Sequence, residues 1–234
     1  MVSENQPGNR LERTKSTANT CGRGMSLFSL TALSGILAPL IFTTVMAIVE
    51  LIQPGYSPVH ESISRLVLGT HGKFQTLSFF LFGFLFTVFS LRLYMATSRN
   101  RIASVGAGLF LVSGLSFFVL GIFPVDPHGE TATTMTGIVH NGMAGLAAVF
   151  FMLGSVVFAI YFGVDDRWHN YRWFTVVVVF AFLGFSLIWK FAPDSWAWKG
   201  LAERIALLSG FLWIEVISIR LLLFCIGKRP ASVK

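Results

Sequence analysis

Six long apolar stretches occupy most of this 234-residue chain, and each contains at least 17 residues. A helix needs about 20 residues, at a rise of about 1.5 Å each, to cross the roughly 30 Å hydrocarbon core of a bilayer. The stretches are apolar throughout and do not alternate like the strands of a membrane β-barrel. The sequence therefore predicts an all-α polytopic membrane protein built as a bundle of six transmembrane helices. The predicted helices cover residues 27–51, 74–94, 102–123, 136–162, 173–189 and 201–225.

Composition supports this fold class. Apolar residues make up 54% of the chain and charged residues 12%, which leaves too little polar surface for a water-soluble globule of this size. The net charge of +7 is better explained by its distribution among the loops than by a nucleic-acid partner. The expected surroundings of the chain are membrane lipids.

Basic residues are unevenly distributed. Thirteen of the 18 Lys and Arg residues lie near the two termini or near the second and fourth connections. The positive-inside rule therefore predicts a cell-membrane protein with both termini in the cytoplasm and the first, third and fifth connections facing outward. Residues 1–26 are predicted to be a disordered basic tail, residues 27–227 the transmembrane domain and residues 228–234 a short basic tail. We expect the first apolar run to be an uncleaved signal anchor.

The first outward connection is predicted to contain a short interfacial helix. Ser57 is a suitable N-cap, and Pro58 suits the first helical position because its missing N–H is not needed there. Glu61 and Arg65 have the i, i+4 spacing of an ion pair. The opposite face carries an apolar stripe at helical spacing, formed by Val59, Ile63, Leu66 and Val67.

The second outward connection places an acidic residue close to the membrane. Pro124 ends helix three and Pro127 restrains the backbone after Asp126, so we expect Asp126 to be held at a defined position. Helix four then begins, and His140 and Asn141 lie about one turn inside it. An imidazole inside a membrane helix needs a partner, and its protonation changes near neutral pH.

A set of polar residues thus converges near one membrane face. Ionisable groups at such depths are costly and usually face the interior of a bundle, so the set is a candidate site. We predict Ser64, His140 and Asp126 as catalytic residues, with Ser64 or alternatively Ser57 as nucleophile, His140 as base and Asp126 as orienting group. The residues predicted to bind substrate are Tyr56, Arg65, Asn141 and Arg204. A structural alternative remains open, in which Asp126 caps helix four or pairs with Arg204.

Two further possibilities concern metal binding and an intramembrane charge. Zinc accepts imidazole and carboxylate ligands, so His140 could bind it with Asp126, His128 or His60, although no metal-binding motif is present and the cofactor is left open. Glu215 lies 14 residues beyond Leu201, about 21 Å into helix six. Its expected partner is Arg220 or Arg92, and the alternative is a proton relay.

Short motifs occur in the outward-facing segments. They are Gly55-Tyr-Ser-Pro, Ser62-Ile-Ser-Arg-Leu66, Gly121-Ile-Phe-Pro-Val-Asp126, His140-Asn141 at the start of helix four, and Arg204 near the start of helix six. In this order the chain resembles the prokaryotic "domain of unknown function 998" membrane family, over roughly Leu27 to Phe224. The resemblance implies a six-helix integral membrane fold but no particular reaction or substrate. The motif residues that it carries over are Tyr56, Ser57, Ser62, Ser64, Asp126, His140 and Arg204.

Three functions fit this sequence. In the first, the outward-facing site binds a lipid or lipid-linked headgroup and the protein is a membrane-embedded hydrolase or transferase, with Arg65 and Arg204 holding an anionic headgroup. In the second, the same cluster serves a small transporter or a lipid or pH sensor. In the third, the protein is an accessory subunit whose polar cluster only ties helices together. Whether the protein is an enzyme is left open, and its protein partners are not indicated.

Overall fold

Helices account for the regular structure of the described residues. The computed structural model describes residues 25–97, 100–127, 132–193 and 195–226, and these residues contain no β-strand. Six α-helices in it are long and apolar enough to cross a membrane. They are α1 (Met25–Ile52), α2 (Gly72–Thr97), α3 (Arg101–Leu120), α4 (Met135–Val164), α5 (Arg172–Phe191) and α6 (Lys199–Ile226). Two short 3₁₀ helices lie in connections: η1 (Ile63–Leu68) and η2 (His169–Tyr171).

The predicted six-helix membrane fold is confirmed, and each predicted helix end lies within three residues of the observed one. The chain is therefore a multipass membrane protein in contact with lipid. Residues 1–24 and 227–234, which include most of the predicted tails, lie outside the described residues.

The helices form a closed ring in chain order. Each one packs against its neighbours in the sequence, and α6 completes the ring against α1. The centre of the ring is rich in aromatic side chains. The rings of Phe42 and Phe211 are in edge-to-face contact with centroids 5.4 Å apart, and those of Phe110 and Trp213 are tilted with centroids 5.0 Å apart. Lipid tails are as apolar as these rings, so the helices associate through close packing and not through water exclusion.

Local capping explains where α3 and α4 begin. The Asn100 side chain accepts hydrogen bonds from the backbone N–H groups of Ile102 and Ala103 at 2.9 and 3.3 Å. The Thr134 hydroxyl accepts one from Gly137 N–H at 3.1 Å. Each cap satisfies N–H groups that have no partner within the helix.

Three connections lie at one end of the bundle, because successive helices cross in alternating directions. We call this the site end, defined by the described residues of the connections 53–71, 121–134 and 192–198. At the opposite end, the Asp165 carboxylate pairs with Arg167 at 2.6 Å, and the hydrogen bonds from Arg167 lower the pKa of Asp165. Trp168 is buried beside them and stacks on Phe162, with ring centroids 5.1 Å apart.

The short helix of the first connection begins later than predicted. Ser57 starts only a single turn, because its carbonyl accepts from His60 N–H and Glu61 N–H and the chain is extended again at Ser62. The helix that follows, η1, is of the 3₁₀ type and runs from Ile63 to Leu68. The predicted start at Ser57 and Pro58 is therefore wrong. The apolar stripe is partly confirmed, since Ile63 and Leu66 are buried.

Candidate functional site

A serine and a histidine meet at the site end. Ser64 lies in η1 and His140 in the second turn of α4, and Ser64 Oγ is 2.9 Å from His140 Nε2. His140 Nδ1 lies 2.7 Å from the carbonyl oxygen of Phe123. Because a carbonyl oxygen can only accept, Nδ1 of the neutral ring carries the proton, and Nε2 is left to accept from the Ser64 hydroxyl. An imidazole in this tautomer can take a proton from serine.

The histidine ring is rigidly held. His140 is 1% exposed, and the edge-to-face contact with Phe79 places the two ring centroids 6.3 Å apart. Hydrogen bonds at both ring nitrogens fix its orientation in the plane. Ser64 is half-buried and faces a cavity described below.

Asp126 holds Thr134, the N-cap residue of α4. Its carboxylate accepts from the Thr134 hydroxyl and from the backbone N–H groups of Thr133 and Thr134, the latter two at 2.5 and 2.9 Å. These bonds, above all that from the Thr134 hydroxyl, lower the pKa of Asp126 to about 2, so it is ionised at neutral pH. A Cβ at Gly137 would collide with this carboxylate, so a glycine is required there.

The observed contacts of Asp126 favour a structural role close to the capping alternative, because the carboxylate holds the N-cap residue Thr134. The hypothesis of a Ser64–His140–Asp126 triad needs a carboxylate at Nδ1 of His140, and the carbonyl of Phe123 occupies that position. Its hydrogen bonds to Thr133 and Thr134 hold Asp126 at the N-terminus of α4, where a negative charge is also favoured by the helix dipole. The orienting group is thus a main-chain atom, for which a sequence pattern carries no signal.

Arg204 is fully engaged by the protein itself. A guanidinium has five N–H groups, and all five are hydrogen-bonded here. The acceptors are the Glu50 carboxylate at 2.8 and 2.6 Å, the carbonyls of Glu61 and Gly200 at 2.9 Å each, and the hydroxyl of Tyr56. The predicted Asp126–Arg204 pair is therefore not formed. These contacts give Arg204 a structural role, joining α1, the first connection and α6.

Tyr56 extends the same network. Burial raises the pKa of its hydroxyl, which stays protonated and donates to the carbonyl of Ser62 at 2.9 Å. The guanidinium of Arg204 also lies over its ring, 5.7 Å from the centroid. Tyr56 thus helps to fix the chain just before Ser64.

The other two predicted binding residues lie at the margin of the site. Arg65 forms the predicted ion pair with Glu61, at 3.0 Å, and its side chain is 35% exposed. The second oxygen of Glu61 accepts from Ser57 N–H at 2.9 Å, which closes the turn before η1. Asn141 is exposed on α4, next to His140 in the chain.

Glu203 belongs to the polar set predicted near one membrane face, whereas Glu50 was not among the predicted site residues. The carboxylate of Glu203 accepts from Ile63 N–H at 2.8 Å, one residue before Ser64, so it anchors the start of η1. Glu50 balances the charge of Arg204. A single carboxylate near the end of an apolar helix is a usable signal, since it needs a cation nearby. Glu50 shows this signal in the sequence, because it lies near the end of the first apolar stretch.

A cavity of about 120 Å³ lies inside the ring of helices. All six helices and η1 contribute to its wall, which is mostly apolar and rich in aromatic rings. Its polar lining residues are Ser64, Ser186, Trp189 and Glu203. Within the described residues, the indole N–H of Trp189 is buried and has no hydrogen-bond partner. Sequence reasoning missed Ser186 and Trp189, because only tertiary packing shows that they face the same space.

The intramembrane charges lie towards the opposite end. Glu215 is half-buried in α6, and Arg92 is buried in α2. Arg220 does not pair with Glu215, since it donates to the carbonyl of Arg167 at 3.1 Å and lies over the ring of Phe224. One of the two predicted pairings of Glu215 is therefore wrong, because Arg220 turns towards the end of the bundle.

A metal centre finds no support in the described part of the chain. There, no three His, Cys, Asp or Glu side chains are grouped closely enough to hold a metal ion. Both nitrogens of His140 are hydrogen-bonded, and His60 Nδ1 lies 2.8 Å from Ser57 Oγ. His128 lies outside the described residues. Zinc stays a prediction from sequence alone.

The chain is similar to a known family of proteins. No curated protein and no solved structure matches the chain. A family model described as "Protein of unknown function (DUF998)" matches residues 36–220, which is more than half of the sequence. The matched range contains all of α2 to α5. It also contains the residues Ser64, Asp126, His140 and Arg204. The six-helix multipass membrane protein described here therefore belongs to the DUF998 family.

Proposed function

We propose that the protein binds a lipid or lipid-linked amphiphile from the outer leaflet, with one acyl chain in the central cavity and the polar part at the site end. The observation that carries this proposal is the uneven polarity of the cavity. Glu203 lies about 6 Å along α6 from its start and Trp189 about 3 Å from the end of α5, at 1.5 Å per residue. Phe86 and Phe151, by contrast, lie about 20 to 25 Å along their helices.

Cavity size limits the ligand. The volume of about 120 Å³ is comparable to that of apolar protein cavities of about 150 Å³ that hold benzene. It suits part of one acyl chain and not two chains side by side. A ligand with a single chain in the cavity, and the rest of the molecule at or outside the site end, fits these dimensions.

The unpaired indole N–H of Trp189 supports a ligand with a polar acceptor. Buried donors in proteins are nearly always hydrogen-bonded, because an unmet donor costs about 1–3 kcal/mol. Trp189 lines the cavity, and its N–H has no partner among the described residues. An ester or headgroup oxygen at the polar end of the cavity supplies the missing acceptor.

The orientation of the ligand follows from the charge pattern of the chain. The positive-inside rule assigns the site end to the outer face of the cell membrane, with both termini in the cytoplasm. A lipid of the outer leaflet has its polar part at that level and its chain pointing towards the bilayer centre. Its natural orientation is therefore the one that the cavity requires.

A photoreactive lipid tests this proposal. The full chain is reconstituted in lipid nanodiscs with a lysophospholipid that carries a diazirine near the end of its acyl chain, and cross-linked peptides are mapped by mass spectrometry. We expect cross-links at deep cavity residues such as Phe86 and Phe151. Ala148→Phe places a ring in the cavity and should lower these cross-links about tenfold, equivalent to about 1.4 kcal/mol of binding.

The matched control is Val149→Phe. Val149 is the next residue of α4 and is 48% exposed on the lipid-facing side, so the same ring there leaves the cavity open. Cross-linking should then equal that of the wild type. Equal cavity cross-linking in wild type and Ala148→Phe, or cross-links confined to the outer surface of the helices, would contradict the proposal.

A further inference from the structure

The polar end of the cavity contains a nucleophile next to a base. Ser64 lines the cavity, and its hydroxyl is 2.9 Å from Nε2 of His140. The Phe123 carbonyl holds the proton of the ring on Nδ1, so Nε2 is the basic nitrogen. The bond thus combines a reachable hydroxyl, a correctly protonated imidazole and a fixed orienting group, the three parts of serine activation.

We infer that Ser64 is an acyl-accepting nucleophile and that the substrate class is a carboxylic ester of a single-chain lipid. This inference rests on the proposed function, because it needs an acyl chain in the cavity. In such a lipid the ester carbonyl lies where the apolar chain ends and the polar part begins. Ser64 lies at the corresponding boundary of the cavity. It belongs to the polar part of the cavity wall, together with Trp189 and Glu203.

The reaction proceeds in two balanced steps. In the first, Ser64 Oγ bonds to the ester carbonyl carbon, its proton passes to His140 Nε2, and the carbon–oxygen bond to the alcohol breaks; the proton on Nε2 then goes to the departing alkoxide. In the second, a water molecule attacks the acyl-Ser64 ester, with His140 again taking and returning one proton. The products are one alcohol and one carboxylic acid, and Ser64 is regenerated.

Trp189 supplies a donor for this chemistry. The attacked carbonyl oxygen becomes negatively charged, and a hydrogen-bond donor fixed in advance stabilises that charge. The indole N–H of Trp189 lies in the wall of the same cavity and has no partner in the described part of the protein. We assign it to the carbonyl oxygen of the ester.

The chain provides its own control pair. Ser57 Oγ lies 2.8 Å from Nδ1 of His60, but this contact is exposed and neither residue lines the cavity. Simple proximity of serine to histidine would make Ser57 as reactive as Ser64. If activation requires both the cavity and a histidine tautomer fixed by the protein, only Ser64 should react.

The experiment uses the full chain in nanodiscs with decyl fluorophosphonate, which marks activated serines, and p-nitrophenyl decanoate, whose cleavage releases coloured p-nitrophenolate. We expect the phosphonate adduct on the peptide that contains Ser64. Ser64→Ala should abolish both signals. His140→Gln should slow labelling by about 10²-fold or more, the usual contribution of a general base. Ser57→Ala should label like the wild type.

Site mapping on the wild-type protein keeps the test decisive if a variant does not fold. An adduct at Ser57, or none at Ser64 while the photoreactive lysolipid still cross-links inside the cavity, would overturn the nucleophile and leave the lipid-binding proposal intact. If the wild type shows neither an adduct at Ser64 nor cross-links inside the cavity, the nucleophile and the lipid-binding proposal are both rejected. An adduct at Ser64 that survives His140→Gln at an unchanged rate would also overturn the inference.

Discussion

At the scale of single residues, the orientation of His140 by a neutral carbonyl has a chemical consequence. The Phe123 carbonyl fixes the tautomer as well as a carboxylate would, but it carries no charge to stabilise the imidazolium that forms when the ring accepts a proton. We therefore expect acylation of Ser64 to be slower than in a serine–histidine–carboxylate triad.

Asp126 provides a test that separates a structural from a catalytic carboxylate. Its pKa of about 2 in the folded protein is below its usual value of 3.8, so its hydrogen bonds stabilise the fold above pH 3.8 and lose this effect as the pH falls through about 2. Asp126→Asn should lower the thermal unfolding temperature by the same amount at pH 5 and pH 8. Differential scanning fluorimetry in nanodiscs measures this.

The control for that measurement is Asp166→Asn, an exposed aspartate at the opposite end, which should leave the unfolding temperature unchanged. Labelling of Ser64 should persist in folded Asp126→Asn protein, because the carboxylate does not contact His140. A stable Asp126→Asn protein that no longer labels would instead restore Asp126 to the catalytic group.

At the scale of secondary-structure elements, the position of η1 depends on the start of α6. Leu201 N–H donates to the carbonyl of Val59 at 3.1 Å, and the Glu203 carboxylate accepts from Ile63 N–H. Gly200, just before Leu201, lets the first connection and α6 touch. A Cβ there would collide with the carbonyl of Glu61 and lie 2.8 Å from that of Pro58. The connection that carries Ser64 is thus fastened to α6 by backbone contacts.

Gly200→Ala should push this connection away from α6. We expect a loss of about 1–3 kcal/mol in the free energy of unfolding, as for other overpacked contacts, and slower labelling of Ser64. Gly142→Ala is the matched control, because nothing lies within 4 Å of a Cβ there. Denaturant unfolding of both variants in mixed micelles compares them, and equal stability would show that the first connection adapts without cost.

The sequence predicted the helices more fully than the site. Apolar length alone identifies a membrane helix, and so α1 to α6 could be placed within three residues. The Glu61–Arg65 pair and the proximity of Ser64 to His140 were also accessible, because residue type and position near one face suffice. The carbonyl of Phe123 was not, because every residue has a carbonyl and only the folded backbone selects one.

At the scale of the whole molecule, the positive-inside rule predicts that the site end faces outward, and two single-cysteine variants test this orientation. In a protein with Cys21 and Cys225 replaced by serine, Thr70→Cys introduces a thiol in the first connection and Asp166→Cys one at the opposite end, both at exposed positions. A membrane-impermeant maleimide added to intact cells should label Thr70→Cys. Asp166→Cys should be labelled only after the cells are permeabilised.

The reverse pattern would place the site end in the cytoplasm and transfer the proposed ligand to the inner leaflet. The cavity and the Ser64–His140 contact would be unaffected, since neither depends on orientation. Labelling of both positions in intact cells would indicate a mixed population.

If the cavity binds an amphiphile as we propose, its one-ended polarity makes that binding directional. An amphiphile that approached from the far leaflet would have to carry its headgroup past the aromatic floor formed by residues such as Phe86 and Phe151, at a desolvation cost of several kcal/mol. This desolvation cost alone opposes entry of the headgroup from the far leaflet, so no moving gate is needed. A protein that bound lipid in this way would take it from one monolayer and not from the other, even when the same lipid is present in both.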